Sequence, residues 1–262
     1  PLWPDRWDYD ALMQRKAEIG SLKFTREYLC IPVSTGTALF DPDYVNACKN
    51  KEYILKLGNR RDAGYKYYVG VDPAISTDGD YNVIIVLEVD ENQNKAIVHV
   101  DRSKNVEFRE NIEKIRLIGK IFQPEAVLFE TNTFAKSFTQ ELRNVSDLNV
   151  KDFNTTRRKK QEIILNLQMN IENGKMIFPY GDNNSKKMTT VLIEELSMFS
   201  ITESGKFEGV GAHDDLVMGL ALANAASQSP TDTFILLDDM GIFDAPQPKQ
   251  NGVNQGLMGL NF

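Results

Sequence analysis

Between about residues 65 and 228, β-rich apolar runs first follow one another directly and then alternate with amphipathic helical patterns. Tyr67–Asp72 (YYVGVD) and Val83–Val89 (VIIVLEV) are such runs, separated by the turn-rich AISTDGDYN. Ala96–Val100 continues as a third strand, so the three predict an antiparallel meander. A helical pattern over Phe108–Phe122 follows, stopped by Pro124, and Ala126–Glu130 (AVLFE) reads as a short buried strand. The remaining expectations are a helix over Phe134–Leu142, a strand at Val150–Phe153 and a helix over Glu162–Ile171 ending at Gly174. A strand at Met176–Phe178, a helix over Thr189–Leu196, a hairpin around SGKFEG and a helix from about Asp214 to Ala226 complete the pattern. Strands in direct succession followed by alternating strands and helices predict an α/β domain, a mixed sheet with helices on both faces.

The flanks have a different texture. Residues 1–60 are mixed, with a helix expected over Tyr9–Ile19 and turn signals at Pro32, Gly36 and Asp41–Pro42. They read as a connecting arm. Residues 229–262 hold Pro230, Pro246, Pro248 and four glycines, and read as a flexible C-terminal tail despite the apolar end LMGLNF. The start, PLWPDRWDYD, has neither an initiator Met nor a signal-peptide core, so a fragment of a longer polypeptide is expected. No apolar run approaches the roughly 18 residues of a membrane span. With only Cys30 and Cys48, a disulfide framework is not expected and a reducing compartment is.

Charge argues against a dedicated nucleic-acid clamp: 30 Lys+Arg stand against 37 Asp+Glu, a net of −7. The acid is unevenly spread, however. Asp232, Asp238, Asp239 and Asp244 face Lys249 alone in the last 34 residues, whereas Arg157–Arg158–Lys159–Lys160 and Lys186–Lys187 are concentrated basic runs. Such runs are ordinarily solvated loops. Following the strand Val150–Phe153, the first could instead hold a phosphate backbone.

Three acidic positions stand out. Asp72 ends YYVGVD and Glu130 ends AVLFE, so each is delivered by an apolar strand to the sheet edge where α/β sites form. Each taken alone could be a turn cap. Asp78 and Asp80, in the loop after Asp72, read as turn residues within reach of the same edge. Gly211–Ala212–His213–Asp214–Asp215 opens the apolar helix LVMGLALANAA, where one acid could serve as N-cap and the second is left over. Small residues along that helix predict close packing on the sheet, which would carry the acid pair toward the other two. Carboxylates gathered in this way call for cations, and hard oxygen donors suit Mg²⁺ or Mn²⁺. His99, mid-strand, reads as structural; His213 reads as a ligand, a supporting group or neither.

YYVGVDPAISTDGDYNVIIV, AVLFETN and GAHDDLVMGLALA, in this order, resemble the nuclease domain of the large terminase subunit of tailed bacteriophages, of the RNase H-like, RuvC-like superfamily. The stretch from Trp3 through LMQRKAEIGSLKFTREYLCIP is similar to the segment joining that family's ATPase domain to its nuclease. The resemblance covers about residues 1–228 and implies a linker arm over 1–60 and a nuclease domain over 61–228; the tail over 229–262 matches no motif of the family. It implies a metal-dependent endonuclease that cuts concatemeric double-stranded DNA with little sequence specificity during viral genome packaging. Asp72, Glu130 and Asp215 would hold two Mg²⁺ or Mn²⁺ ions, with Asp214 secondary and Asp80 an additional acid. Arg157, Arg158, Lys159 and Lys160 would contact DNA. Implied partners are the ATPase domain, the portal or procapsid and the small terminase subunit, in the cytoplasm of the infected bacterium. No Walker A loop occurs; the Gly119–Lys120 pair has Lys114 where the first glycine belongs. The competing expectations are a RuvC-like junction resolvase and a non-catalytic module docking motor to portal.

Overall fold

The computed structural model describes residues 7–31, 38–56, 64–73, 81–131, 136–202, 204–209 and 213–228. The chain begins with helices α1 (Tyr9–Ile19), α2 (Ser21–Glu27) and α3 (Pro42–Ala47), followed by the two-residue strand β1 (Lys49–Asn50). Next come β2 (Lys66–Asp72), β3 (Asn82–Val89), β4 (Lys95–Ser103), α4 (Phe108–Phe122), β5 (Ala126–Glu130), α5 (Lys136–Val145) and β6 (Val150–Phe153). The series ends with α6 (Arg157–Glu172), β7 (Met176–Pro179), α7 (Asn183–Met198), the hairpin β8 (Phe199–Ile201) and β9 (Phe207–Gly209), and α8 (Asp215–Ala226). Among the described residues no helix is long and apolar enough to cross a membrane.

Seven strands form one mixed sheet in the order β1-β7-β4-β3-β2-β5-β6. The expected meander β2-β3-β4 is antiparallel, and β5, β6, β7 and β1 join by parallel pairing. Every strand but β3 therefore ends at the same sheet edge. Side chains alternate between two faces. Val69, Val71, Ile84, Val86, Val127 and Phe129 pack beneath α4 and α5, while Val83, Ile85 and Leu87 pack with α6, α7 and α8 on the other face.

Helix α8 is buried along nearly its whole length. It lies on β2 because neither element has a side chain at the crossing. A Cβ on Gly70 would overlap the carbonyl oxygen of Gly219 and the amide of Ala223, and a Cβ on Gly219 would come within 2.6 Å of Val83 Cγ1. The C-terminal half of α8 is pinned to α6 and β4 by a buried polar knot. Lys95 Nζ lies 3.0 Å from Asn224 Oδ1, and the Asn224 and Asn170 side chains both donate to Asn166 Oδ1, at 3.2 and 2.9 Å.

Several boundaries differ from expectation. The basic run Arg157–Lys160 is the first turn of α6 and not a loop, because Thr156 caps it by accepting the Lys159 amide at 3.3 Å. Helix α7 starts at Asn183, capped by Asp182, whose carboxylate accepts the Ser185 amide at 2.7 Å. Part of the expected arm is built into the domain: Leu39, Phe40, Val45 and Cys48 are buried in the core, and β1 pairs with β7. α1 and α2 meet α6 through Ser21, which bonds the Glu172 carboxylate with its amide and hydroxyl, and through Asn173, which donates to the Ala17 carbonyl. Asp78, Asp80 and the tail 229–262 lie outside the described residues.

Candidate active site

The parallel pairing of β2 with β5 runs up to Val71 opposite Phe129, so the next residue on each strand, Asp72 and Glu130, ends its strand beside the other. Strand alternation turns both toward the α8 face, away from Val71 and Phe129. The two carboxyls share a hydrogen bond, and Asp72 is held well above the usual carboxylate range. Burial is the main cause, followed by the charge of Glu130, then that of Asp215, and the Glu130 hydrogen bond and Asp214 add to it.

The adjacent acids at the start of α8 take different roles. Asp215, 8% exposed, lies in the first helical turn, where the helix dipole favours a carboxylate. Its Oδ2 accepts the Tyr81 amide at 3.1 Å and lies 3.5 Å from His213 Nδ1. Asp214 occupies the N-cap position, but its side chain does not cap the helix; it pairs with Lys160 Nζ at 3.0 Å. The basic run is thereby tied to the acidic edge. Arg157 and Gln161 point elsewhere, donating to the carbonyls of Ser204 and Gly205 in the β8–β9 turn at 2.7 and 2.9 Å. Lys159 Nζ lies 6.0 Å from the Phe153 ring centre. Lys186 and Lys187 fall in the first turns of α7, after β7 ends at the same edge. His99 is mid-strand, its ring 6.3 Å from Phe122 and its pKa lowered chiefly by burial.

Four residues that the sequence reading passed over support this edge. Arg102 ends the row Asp72–Val83–Arg102 across β2, β3 and β4. Its guanidinium pairs with Glu195 at 3.0 Å and stacks 3.4 Å over the Tyr81 ring. The other Glu195 oxygen accepts the Leu216 amide at 2.8 Å, holding the first turn of α8. Burial pushes Glu195 up to about 7 against the opposing effects of the Leu216 amide and Arg102. Tyr81 also carries Lys104 over its ring at 4.3 Å and meets His213 edge-on at 5.0 Å. None of these contacts has a local signal. They arise from the packing of α7, α8 and the ends of β3 and β4 against one another.

In kind, the donors suit a hard divalent cation: the carboxyls of Glu130 and Asp215 both act on that of Asp72 at one edge. Among the described residues no three His, Cys, Asp or Glu side chains are grouped as a finished metal site. Glu130 hydrogen-bonds Asp72, and Asp215 is held close by a backbone amide.

The family model for the Terminase RNaseH-like domain matches residues 69–226, more than half of the chain. Among solved structures, the chain is similar to the large terminase nuclease from thermophilic phage G20c. Identity is 22% and the TM-score 0.54, over 73% of this chain and 99% of that one. The same nuclease with bound magnesium aligns at 22% identity and a TM-score of 0.54, over 74% and 98%. The HK97 bacteriophage large terminase aligns at 13% identity and a TM-score of 0.54, over 85% of this chain and 51% of that one. The chain thus spans about half the length of that terminase. No curated protein sequence matches the chain. The mixed seven-stranded sheet is RNase H-like.

Proposed function

Because the chain belongs to the Terminase RNaseH-like domain family, we propose that this terminase nuclease is a metal-dependent endonuclease cutting concatemeric double-stranded DNA, with little sequence preference, during viral genome packaging. The observation that carries this reading is the meeting of Asp72, Glu130 and Asp215 at one sheet edge, where burial and mutual charge already strain the ionised state of Asp72. These three are the residues that would hold Mg²⁺ or Mn²⁺. When bound, such ions supply Lewis-acid charge to a scissile phosphate and its attacking water. The G20c nuclease with bound magnesium supports a divalent ion in this fold.

The chain's own residues do the rest. The β2–β5 register sets Asp72 and Glu130 side by side, and the Tyr81 amide fixes Asp215 opposite them. Lys160 draws Asp214 aside, and Lys159 and Arg158 stand at the α6 N-terminus, where backbone amides and positive charge suit DNA phosphates. Residues 61–228 would be the nuclease proper. An ATPase domain in the same polypeptide, the portal or procapsid and the small terminase subunit would be its partners in the infected bacterial cytoplasm. The acidic net charge of −7 predicts weak DNA binding by this chain alone, with further affinity coming from the joined domain.

The test is supercoiled-plasmid cleavage with Mn²⁺, Mg²⁺, Ca²⁺ or EDTA, comparing the chain with Asp72→Ala and Asp215→Ala. Cleavage in Mn²⁺ or Mg²⁺ that folded variants lack supports the reading. Cleavage that survives both substitutions refutes the site.

A further inference from the structure

Lys160, Arg102 and Lys104 stand close to the acidic edge, and the first two are committed. Lys160 pairs with Asp214 and Arg102 with Glu195. Lys104 is different: it is exposed, and among the described residues its one side-chain partner is the Tyr81 ring. We infer that Lys104, seated on Tyr81, binds a DNA phosphate on the β4 side of the carboxyl centre, opposite the α6 basic turn. This deepens the nuclease reading and rests on it.

The placement follows from register. Asp72 pairs with Val83, and Val83 with Arg102, so Arg102 stands two strands, about 10 Å, from Asp72. Lys104 follows two residues later, just past the last residue of β4. Both cations lie over the same ring, at 3.4 and 4.3 Å. That ring belongs to the residue whose amide holds Asp215. A strand phosphate recurs about every 3.4 Å along the duplex axis, so a backbone crossing the carboxyls has a phosphate within reach of Lys104.

The ring also explains why a lysine without a carboxylate partner can be useful here. Stacking on Tyr81 directs the ammonium without neutralising it, whereas an ion pair would cancel the charge that a phosphate needs. On the other flank, Lys159 plays the matching part beside the neutralised Lys160. The duplex backbone is then gripped on both sides of the acids, and the acids' own repulsion toward DNA is offset locally, despite the net charge of −7.

The test measures binding of a short fluorescein-labelled duplex by the full 262-residue chain in EDTA, over a range of salt concentrations. Lys104→Met keeps the apolar stem on the ring and removes the charge; Lys104→Arg keeps both. The expected result for Lys104→Met is weaker binding, uniform across duplex sequences, with the slope of log K against log salt reduced by about 0.9. Lys104→Arg restores the wild-type slope. A Lys104→Met slope equal to wild type overturns the inference, since ring packing alone would then account for the residue. So does a wild-type chain that binds no duplex at any salt. Cleavage by wild type and Asp72→Ala is scored separately, so loss of the nuclease reading is distinguishable from loss of this contact.

Discussion

Gly70 of β2 faces Gly219 of α8 so closely that a Cβ on Gly70 would overlap the Gly219 carbonyl and the Ala223 amide. The obstruction is backbone, which cannot rotate away. Gly70→Ala therefore lifts α8 from the sheet and is expected to cost about 1–3 kcal/mol of stability, the range for overpacked cores. Because α8 carries Asp215, cleavage should fall further than stability accounts for. Urea unfolding measures the first effect, and cleavage by the folded fraction the second.

Asp72→Asn removes a charge from a site that disfavours it. Without metal the variant is expected to be more stable than wild type by about 0.5–2 kcal/mol while cutting no DNA. Adding Mn²⁺ should reverse the order, because the ion stabilises only the chain that binds it. Thermal melts with and without Mn²⁺ decide; equal Mn²⁺ shifts in both proteins would remove Asp72 from the metal site.

Glu195 provides a pH signature. Its folded pKa is raised from 4.5 to about 7, so the stability it contributes is full below about 4.5 and is lost as pH rises through about 7. Glu195→Gln can still accept the Leu216 amide but cannot titrate. The wild-type urea midpoint should fall across that window, and the variant's should lack that fall, whatever its absolute level.

The two thiols should separate cleanly. Cys30 is exposed, whereas burial pushes the Cys48 thiol up to about 12. A disulfide reagent is expected to modify one thiol in the native chain and the second only on unfolding. Rapid native labelling of both would show that α3 and β1 do not cover Cys48 as described.

Where apolar periodicity is strong, the sequence is enough: α4, β5 and β6 start and stop where Phe108–Phe122, Ala126–Glu130 and Val150–Phe153 were expected. The acids at the strand ends were legible for the same reason, since an apolar run that ends in a carboxylate delivers it to an edge. Capping signals were legible but undervalued. Asp41–Pro42 reads locally as a turn, yet it is the N-cap and first residue of α3, and Asp182 starts α7 well before apolar spacing reveals it. The run Arg157–Lys160 has no apolar period, so only the Thr156 cap betrays its helix. β1 is two residues long and exists through its pairing with distant β7. Arg102, Tyr81 and Glu195 were invisible for a related reason: their meaning depends on which distant elements pack beside them.

The polar knot of Lys95, Asn166, Asn170 and Asn224 lies at the far end of α8 from Asp215, yet it governs where Asp215 can be. An all-apolar interface between α6 and α8 would tolerate sliding, since one greasy contact replaces another at little cost. Sliding by one residue moves a helix about 1.5 Å along its axis, and misplacement by about 1 Å can cost a reacting group on the order of 10²-fold in rate. Hydrogen bonds between specific partners do not permit that slip. The knot works as the tail stop of a bolt: it sets how far the other end protrudes, and a chain that exchanged it for leucines could be more stable and worse aligned.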